Sequence, residues 1–323
     1  MNYIVLDLEW NQSPEGKEKE EKSLPFEIIQ IGAVKLNESL EETGRFREFI
    51  QPTVYLSLNQ RTQQLLKMNM DILKDARPFP AVAKDFFAWC GSDSSYCTWG
   101  PGDLLELQRN LQFHGMDNPF PKPLFYFDIQ KLYSQSAAGD GERKTLEHCV
   151  DALKVPKKLE FHDALSDAYY TSCIMKHLDI QYLLSHRSID YYQNPRTRKE
   201  EIYAIYDTYS KFVSKEFPSR VEVMRDRKVA STRCPLCQKP AKKKLRWFLT
   251  GSKNYFCLAF CEEHGWIRGK IHIKKTDRNT CFCVKTLRLI SQEEARELAN
   301  RQMQIRQKRR QKSSGLLGIS KKE

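Results

Sequence analysis

Residues 1–10 read MNYIVLDLEW, and this stretch decides the predicted fold. The apolar residues 3–6 and Leu8 have the length and composition of a buried β-strand. Asp7 and Glu9 interrupt the run, and residues two apart in a strand point to the same face. Neighbouring carboxylates repel each other, and a hard divalent cation such as Mg²⁺ relieves that repulsion. The alternative is an edge strand with a solvated acidic face, because an isolated DxE tripeptide is common.

A further acidic residue follows a strand-like segment in the middle of the chain. Residues 94–99 read SSYCTW, and a Gly-Pro-Gly turn at 100–102 separates them from the helical stretch LLELQRNLQFH. Asp103 lies between the turn and the helix, so we expect its carboxylate in the first helical turn. Asp128, in the later segment PLFYFDIQKLY, is expected to cap a helix or to lie at the edge of the core rather than to bind a metal ion.

Residues 162–167 read HDALSD and precede the helix-like stretch AYYTSCIMKHL. Five positions on a continuous helix would separate His162 from Asp167 by about 140°. We therefore expect His162 in the loop before the helix and Asp163 near the N-cap. A loop histidine has a pKa suited to accepting a proton at neutral pH, although a capping or surface role is the alternative.

The order and spacing of Asp7, Glu9, Asp103, His162 and Asp167 resemble the DEDDh family of 3′→5′ exonucleases. Within that family the sequence is most similar to histone-mRNA and RNA-interference-type exoribonucleases and to a bacterial group of sporulation-kinase-pathway inhibitors. The resemblance covers roughly residues 1–184. It implies an α/β fold, in which a ribonuclease-H-like mixed sheet is flanked by helices.

The resemblance also implies a function and a two-metal mechanism. The expected reaction is 3′→5′ hydrolysis of single-stranded RNA or DNA to 5′-mononucleotides, with RNA slightly preferred. Two Mg²⁺ or Mn²⁺ ions per active site are expected: Asp7 contacts both, Glu9 and Asp167 hold the ion that binds the attacking water, and Asp103 supports the second ion. His162 is the expected general base.

Other enzyme classes lack support in the sequence. It contains neither a GxSxG nucleophile elbow nor a GxxxxGK[ST] phosphate loop, so the serine hydrolase and P-loop NTPase classes have no support in the sequence. The rival hypothesis is a regulatory or adaptor protein that binds a protein or RNA partner through its C-terminal half, with secondary nuclease activity.

Charge is distributed unevenly along the 323 residues. Residues 1–185 contain 20 Lys and Arg against 27 Asp and Glu, whereas residues 186–323 contain 33 against 14. We predict an exonuclease domain at 1–185, a helical linker at 186–229, a basic zinc ribbon at 230–290 and a basic C-terminal helix at 291–323. Within the linker, a helix is predicted over 197–217. No apolar run approaches the length of a membrane span, so a cytoplasmic protein without membrane contact is expected.

Metal-ligand spacing appears among the ten cysteines. The pairs Cys234/Cys237 and Cys261/His264 are separated by 23 residues and fit one structural Zn²⁺ ion in a tetrahedral site. A small β-module of this kind depends on its metal for stability. Cys257 is best interpreted as a packed thiol, but it could replace Cys261 or His264 as a ligand.

Cations and aromatic rings alternate around the predicted ribbon. This pattern is typical of single-stranded nucleic-acid binding through phosphate attraction and base stacking. The alternative is a solvated basic sheet whose aromatic residues form its core. The predicted contacts to the 3′ ends of RNA or DNA, or to structured RNA or the ribosome, are Lys243, Arg246, Trp247, Lys253, Tyr255, Trp266, Arg268 and Lys270.

Overall fold

The structure is a computed structural model that describes residues 1–66, 70–136, 139–251 and 253–319. The described chain divides into two units, Met1–Tyr192 and Gln193–Glu323. In chain order the elements of the first unit are β1 (Asn2–Asn11), β2 (Glu27–Leu36), β3 (Glu42–Gln51), α1 (Gln60–Leu66), α2 (Asp71–Lys74), β4 (Arg77–Pro78), α3 (Phe79–Cys90), β5 (Ser94–Thr98), α4 (Gly102–Phe113), β6 (Phe125–Asp128), α5 (Ile129–Gln135), α6 (Leu146–Ala152), α7 (Ala164–Lys176), α8 (Ile180–Ser185) and β7 (Ser188–Ile189).

Strand β1 lies in the middle of a seven-stranded mixed sheet with the order β4-β3-β2-β1-β5-β6-β7. It pairs antiparallel with β2 and parallel with β5. Because side chains alternate along a strand, Ile4, Leu6 and Leu8 pack with α3 and α4, whereas Tyr3 and Val5 pack with α5, α6 and α7. The predicted ribonuclease-H-like mixed sheet flanked by helices is confirmed.

The second unit is a six-stranded antiparallel sheet with the order β10-β11-β12-β13-β9-β8. Val223 and Val229, from its two short helices, pack against one face, and Leu298 of the last helix packs against the other. Its elements are β8 (Ile202–Ile205), β9 (Tyr209–Val213), α9 (Arg220–Arg225), α10 (Arg227–Ala230), β10 (Lys242–Leu249), β11 (Asn254–Cys261), β12 (Gly265–Lys275), β13 (Cys281–Leu289) and α11 (Gln292–Ile319).

The helix predicted over 197–217, within the helical linker at 186–229, is wrong. This segment forms β8 and β9, and the amide of Tyr206 donates to the carbonyl of Tyr209 (2.8 Å) across the turn between them. The segment is rich in β-branched and aromatic residues, which favour strands. Both strands belong to the six-stranded sheet, so the sheet extends beyond the predicted 230–290 module.

Helix α11 begins as the sequence predicts. Ser291 and Glu294 form a reciprocal capping box, in which each backbone amide donates to the other side chain. Among the described residues, no helix is long and apolar enough to cross a membrane.

Candidate active site and metal centres

Asp7 and Glu9 project from β1 toward the side of the sheet that α7 covers. Val5, two residues before Asp7, packs in the same cluster as Ala168 and Tyr170 of α7, which fixes this orientation. A bulge between Glu9 and Trp10 interrupts the pairing of β1 with β2. Both carboxylates are half-buried.

Helix α7 is attached to β2 at its first turn. Asp163 is the N-cap, and its side chain accepts from the Ser166 amide, which confirms the predicted cap. The Gln30 amide group donates to Asp163 Oδ2 (2.8 Å) and accepts from the Ala164 amide (3.2 Å). Arg47 Nη2 donates to the same Asp163 oxygen at 2.6 Å. These contacts fix the position of the helix that carries Asp167.

Gly32 allows this close attachment. A Cβ at this position would lie 2.1 Å from the carbonyl carbon of Ala164 and 2.1 Å from the amide nitrogen of Leu165. Gly32, Gln30 and Arg47 were not among the residues predicted for the site. A glycine inside an apolar strand is nevertheless a known signal of close backbone approach.

Asp103 reaches β1 from the first turn of α4. Its side chain is 6% exposed, and Oδ1 accepts a hydrogen bond from the Leu8 amide at 3.3 Å. The turn before it requires glycine at Gly100, where φ is +100°. Asp103 therefore lies where the sequence predicted, at the start of a helix, and joins the two carboxylates of β1.

His162 lies in the loop before α7, as predicted, with a left-handed backbone (φ 64°). This conformation directs its amide toward Asp167 Oδ2, at 3.3 Å. One ligand atom from each of Glu9, His162 and Asp167 lies within 4.8 Å of the other two. The imidazole is exposed, so water reaches it.

Burial and mutual repulsion raise the pKa values of all four carboxyl groups. Desolvation, followed by repulsion from the other carboxylates, raises the pKa of Asp7 well above its ordinary value and that of Glu9 to about 8. Burial raises the pKa of Asp103 and of Asp167 to about 7, although backbone hydrogen bonds oppose the rise in both groups. The folded chain alone therefore stabilises these charges poorly.

The donor set fits a hard divalent cation. Asp167 Oδ1 is buried and has no hydrogen-bond partner among the described residues. A buried carboxylate oxygen without a donor is costly, and a cation at this point would satisfy it. Asp7, Glu9, Asp103 and Asp167 supply only oxygen ligands, which Mg²⁺ and Mn²⁺ prefer.

The second unit brings together the four residues predicted to bind zinc. Ligand atoms of Cys234, Cys237, Cys261 and His264 all lie within 4.8 Å of one another. The Cys261 sulfur is 3.7 Å from the Cys237 sulfur and 3.7 Å from His264 Nδ1. Three thiols and one imidazole at such distances suit a tetrahedral Zn²⁺ site, as in a zinc ribbon.

The thiol pKa shifts in opposite directions at Cys261 and Cys257. Burial raises the pKa of Cys261, but contacts with His264 and hydrogen bonds from the backbone of Glu263 and His264 outweigh burial and lower it to about 7. Burial raises the pKa of Cys257 to about 12. Cys257 is absent from the cluster and packs beside Gly269, so it is the buried thiol that the sequence suggested.

The eight residues predicted to bind nucleic acid do not form one surface. Trp247 and Tyr255 pack with Ile271 on the face that α9 and α10 cover, and Trp247 Nε1 donates to the Ala230 carbonyl at 2.9 Å. The predicted stacking role of Trp247 therefore needs correction, because its ring belongs to the core. Trp266, Arg268 and Lys270 point to the opposite face, where Trp266 packs in the cluster under α11. Lys243, Arg246 and Lys253 are exposed cations on β10 and the loop after it.

Comparisons with known proteins find one family and several similar chains. The family model described as "Exonuclease" (RNase_T) matches residues 4–175. The "Probable 3'-5' exonuclease KapD" of Bacillus subtilis (strain 168) is 27% identical over 123 residues, which cover 36% of this chain and 56% of that protein. The chain thus spans little more than half of this curated relative.

Two solved structures are similar to part of the chain. The nuclease domain of 3'hExo, described as a DEDDh family member bound to rAMP, is 22% identical with a TM-score of 0.49, over 58% of this chain and 96% of that chain. E. coli Exonuclease I in complex with a 5cy-dA13 oligonucleotide is 15% identical with a TM-score of 0.41, over 54% and 39% of the two chains.

Proposed function

The chain belongs to the RNase_T exonuclease family, and from this membership we propose that it hydrolyses single-stranded RNA or DNA from the 3′ end. The products are 5′-mononucleotides, and RNA is slightly preferred. The observation that carries the proposal is the convergence of Asp7, Glu9, Asp103 and Asp167, whose pKa values are all raised. The name of the relative KapD supports the 3′→5′ direction.

The four carboxylates would hold two Mg²⁺ or Mn²⁺ ions. Bound ions supply Lewis-acid stabilisation of the charge that develops on the phosphate and lower the pKa of water. The chain contributes the positions of the ligands: β1 fixes Asp7 and Glu9, α4 fixes Asp103, and α7 fixes Asp167. The unpartnered Oδ1 of Asp167 supports its role as a ligand.

His162 would act as the general base. Its ring nitrogen lies within reach of Glu9 and Asp167, and its loop position leaves the imidazole open to water. An imidazole near these carboxylates can accept a proton from the attacking water at neutral pH. The hydrogen bond from its own amide to Asp167 fixes the loop that carries it.

Zinc in the second unit would be structural, with one ion held by Cys234, Cys237, Cys261 and His264. All four ligand positions come from the protein, so none remains open for a substrate. The excess of cations in residues 186–323 supports contact with a nucleic acid, either the substrate or a structured RNA such as that of the ribosome. Free cysteines support a cytoplasmic location.

Degradation of matched RNA and DNA strands tests the proposal. Strands labelled at the 5′ end should give a ladder that shortens from the 3′ end only when Mg²⁺ or Mn²⁺ is present. Asp7→Ala should abolish the ladder, whereas Asp117→Ala, which removes an exposed carboxylate outside the site, should not. Absence of divalent-dependent shortening in the wild-type protein, or full activity of Asp7→Ala, would contradict the proposal.

A further inference from the structure

The face of the second sheet against which α11 packs also carries exposed cations on adjacent strands. In β12, Arg268 and Lys270 point away from the face that Ile267, Gly269 and Ile271 turn toward α9 and α10. In β13, Arg288 is directly opposite Arg268, and Thr286 is directly opposite Lys270. We call the surface formed by Arg268, Lys270, Thr286 and Arg288 the basic face. Lys270 and Arg288 are exposed, and Arg268 and Thr286 are half-exposed.

The positive charge of the basic face is not balanced within the chain. Among the described residues, none of Arg268, Lys270 and Arg288 has a carboxylate within ion-pair distance. Opposite positions in antiparallel strands bring Cβ atoms to about 5 Å, so the pair Arg268–Arg288 places like charges side by side at a cost in stability. An anion lying over the pair would offset this repulsion.

The pKa of a neighbouring histidine is lowered by cations of the second sheet. His272 follows Lys270 on the same side of β12 and contacts Asn254 at 2.9 Å. Burial lowers the pKa of His272, and the charges of Lys274, Lys270 and Lys253 lower it further. Lys253, Lys270 and Lys274 therefore all contribute to the positive potential at His272.

The aromatic rings on this side of the sheet pack against other side chains of the second unit. Phe256, opposite Lys270, packs with Leu298 of α11 and lies 5.6 Å from the guanidinium of Arg301. Trp266 packs in the same cluster and contacts the ring of Phe260 edge to face, at 5.0 Å. Tyr209, opposite Arg288, stacks on the ring of Tyr206 at 4.3 Å. These rings are thus already packed against neighbours, whereas the four residues of the basic face offer a ligand charge and hydrogen-bond donors.

We infer that the basic face binds the phosphate backbone of a nucleic-acid strand and does so without stacking on its bases. The inference rests on the proposed function, since the strand is taken to be the substrate of the nuclease. Cations two residues apart on β12 are separated by roughly 6.6 Å, so one extended strand can contact several of them in succession. Contacts to phosphates carry no sequence information, so the binding is independent of base identity.

Binding of labelled homopolymers tests this inference in an Asp7→Ala background. That background prevents cleavage without a chelator, which would also remove zinc. The face variant combines Arg268→Ala, Lys270→Ala and Arg288→Ala. The control combines Arg225→Ala, Arg227→Ala and Lys275→Ala, which removes the same charge from exposed residues on the opposite side of the sheet.

The face variant should bind fluorescein-labelled uridine and adenosine homopolymers about tenfold more weakly at low salt, with the same loss for both. The slope of log affinity against log salt concentration should be smaller by about 2, because each lost phosphate contact lowers the slope by about 0.7 and three contacts are lost. Lys270→Ala alone should reduce the slope by about 0.7. Equal affinities of the face and control variants, or a loss confined to the adenosine strand, would overturn the inference.

Cleavage separates this inference from the proposed function. With Asp7 intact, the face variant should still hydrolyse a dinucleotide, which occupies the active site alone, while its KM for a long strand rises. If wild-type protein cleaves but the face variant binds and cleaves long strands normally, only the inference fails. If wild-type protein does not cleave, the proposed function fails, and the binding comparison still decides whether the face holds phosphates.

Discussion

The backbone of Ala164 lies so close to Gly32 that a methyl group on Gly32 would be 2.1 Å from the Ala164 carbonyl carbon. Gly32 is also the residue opposite Asp7 in the pairing of β1 with β2. The backbone of helix α7 therefore contacts the backbone of β2 next to Asp7. This contact determines how close Asp167 comes to Asp7.

Gly32→Ala should disrupt both stability and catalysis. The added methyl group cannot fit without displacing α7, so we expect a loss of about 3 kcal/mol in the free energy of unfolding. Cleavage should fall to background, because Asp167 moves with the helix. Urea unfolding and a 3′-end degradation assay measure the two effects. Gly44→Ala is the matched control, since its new methyl group would be 3.6 Å from the Trp89 ring, an ordinary contact. Normal activity of Gly32→Ala would show that α7 tolerates displacement.

Arg47→Ala should reduce turnover several-fold with little effect on stability. Arg47 pairs with Asp163, which caps α7 next to His162. Arg47 is 49% exposed, so the ion pair contributes below about 1 kcal/mol. Arg77→Ala is the control, because Arg77 is similarly exposed and pairs with Asp85 of α3 instead. Steady-state kinetics should show the loss in kcat rather than KM, with partial rescue by Arg47→Lys. Equal effects of the two alanine variants would exclude a positioning role for Arg47.

Without divalent ions, the protein should become less stable as pH rises from about 4 to about 8. The folded state raises the pKa of Glu9 to about 8 and those of Asp103 and Asp167 to about 7, whereas the unfolded chain has ordinary values near 4. Protonated groups therefore favour folding below pH 4, and this contribution is lost as pH rises through the folded-state values.

Denaturation at several pH values, with and without Mg²⁺, checks this dependence. Mg²⁺ should restore more stability at pH 8 than at pH 5, because it binds the ionised carboxylates. Glu9→Gln should flatten the profile, whereas Glu160→Gln, which alters an exposed residue outside the site, should not. A profile that is flat in the wild-type protein without Mg²⁺ would contradict the raised pKa values.

Zinc content should distinguish Cys237 from Cys257. Cys237→Ser removes a ligand from the cluster, so the protein should lose most of its zinc and the second unit should unfold at a lower temperature. Cys257→Ser alters a buried thiol outside the cluster and should retain one zinc ion per chain. Metal analysis and thermal unfolding measure both effects. A zinc-free Cys257→Ser protein would make Cys257 a ligand and reverse this assignment.

The sequence predicted the carboxylates well because their placement depends on local rules. Alternation along β1 puts Asp7 and Glu9 on one face, and capping chemistry places Asp163 at the start of α7. Gly32 and Gln30 were missed because their roles depend on a partner more than a hundred residues away. Glycine and glutamine are unusual inside an apolar strand such as β2, and this feature of the sequence could have indicated their roles.

The predictions for residues 186–323 were wrong where the spacing of apolar residues is compatible with more than one structure. Ile202, Ile205, Tyr209 and Phe212 fit a helical spacing as well as two short strands, and the hairpin turn at Asp207 and Thr208 decides between them. The alternation of cations and rings likewise did not reveal which face a helix would cover. Only the packing of α11 shows that Phe256 and Trp266 contact this helix while the side chain of Lys270 remains exposed to solvent.

The attachment of α7 to Gly32 also matters while the protein is being made. Asp7 and Glu9 leave the ribosome long before Asp167, and the candidate site lacks one carboxylate and His162 until residues 162–167 have emerged. Domains generally fold as units during synthesis, so α7 can close the site only when most of the first unit is available. A nascent chain therefore carries an incomplete candidate site until that point of its synthesis.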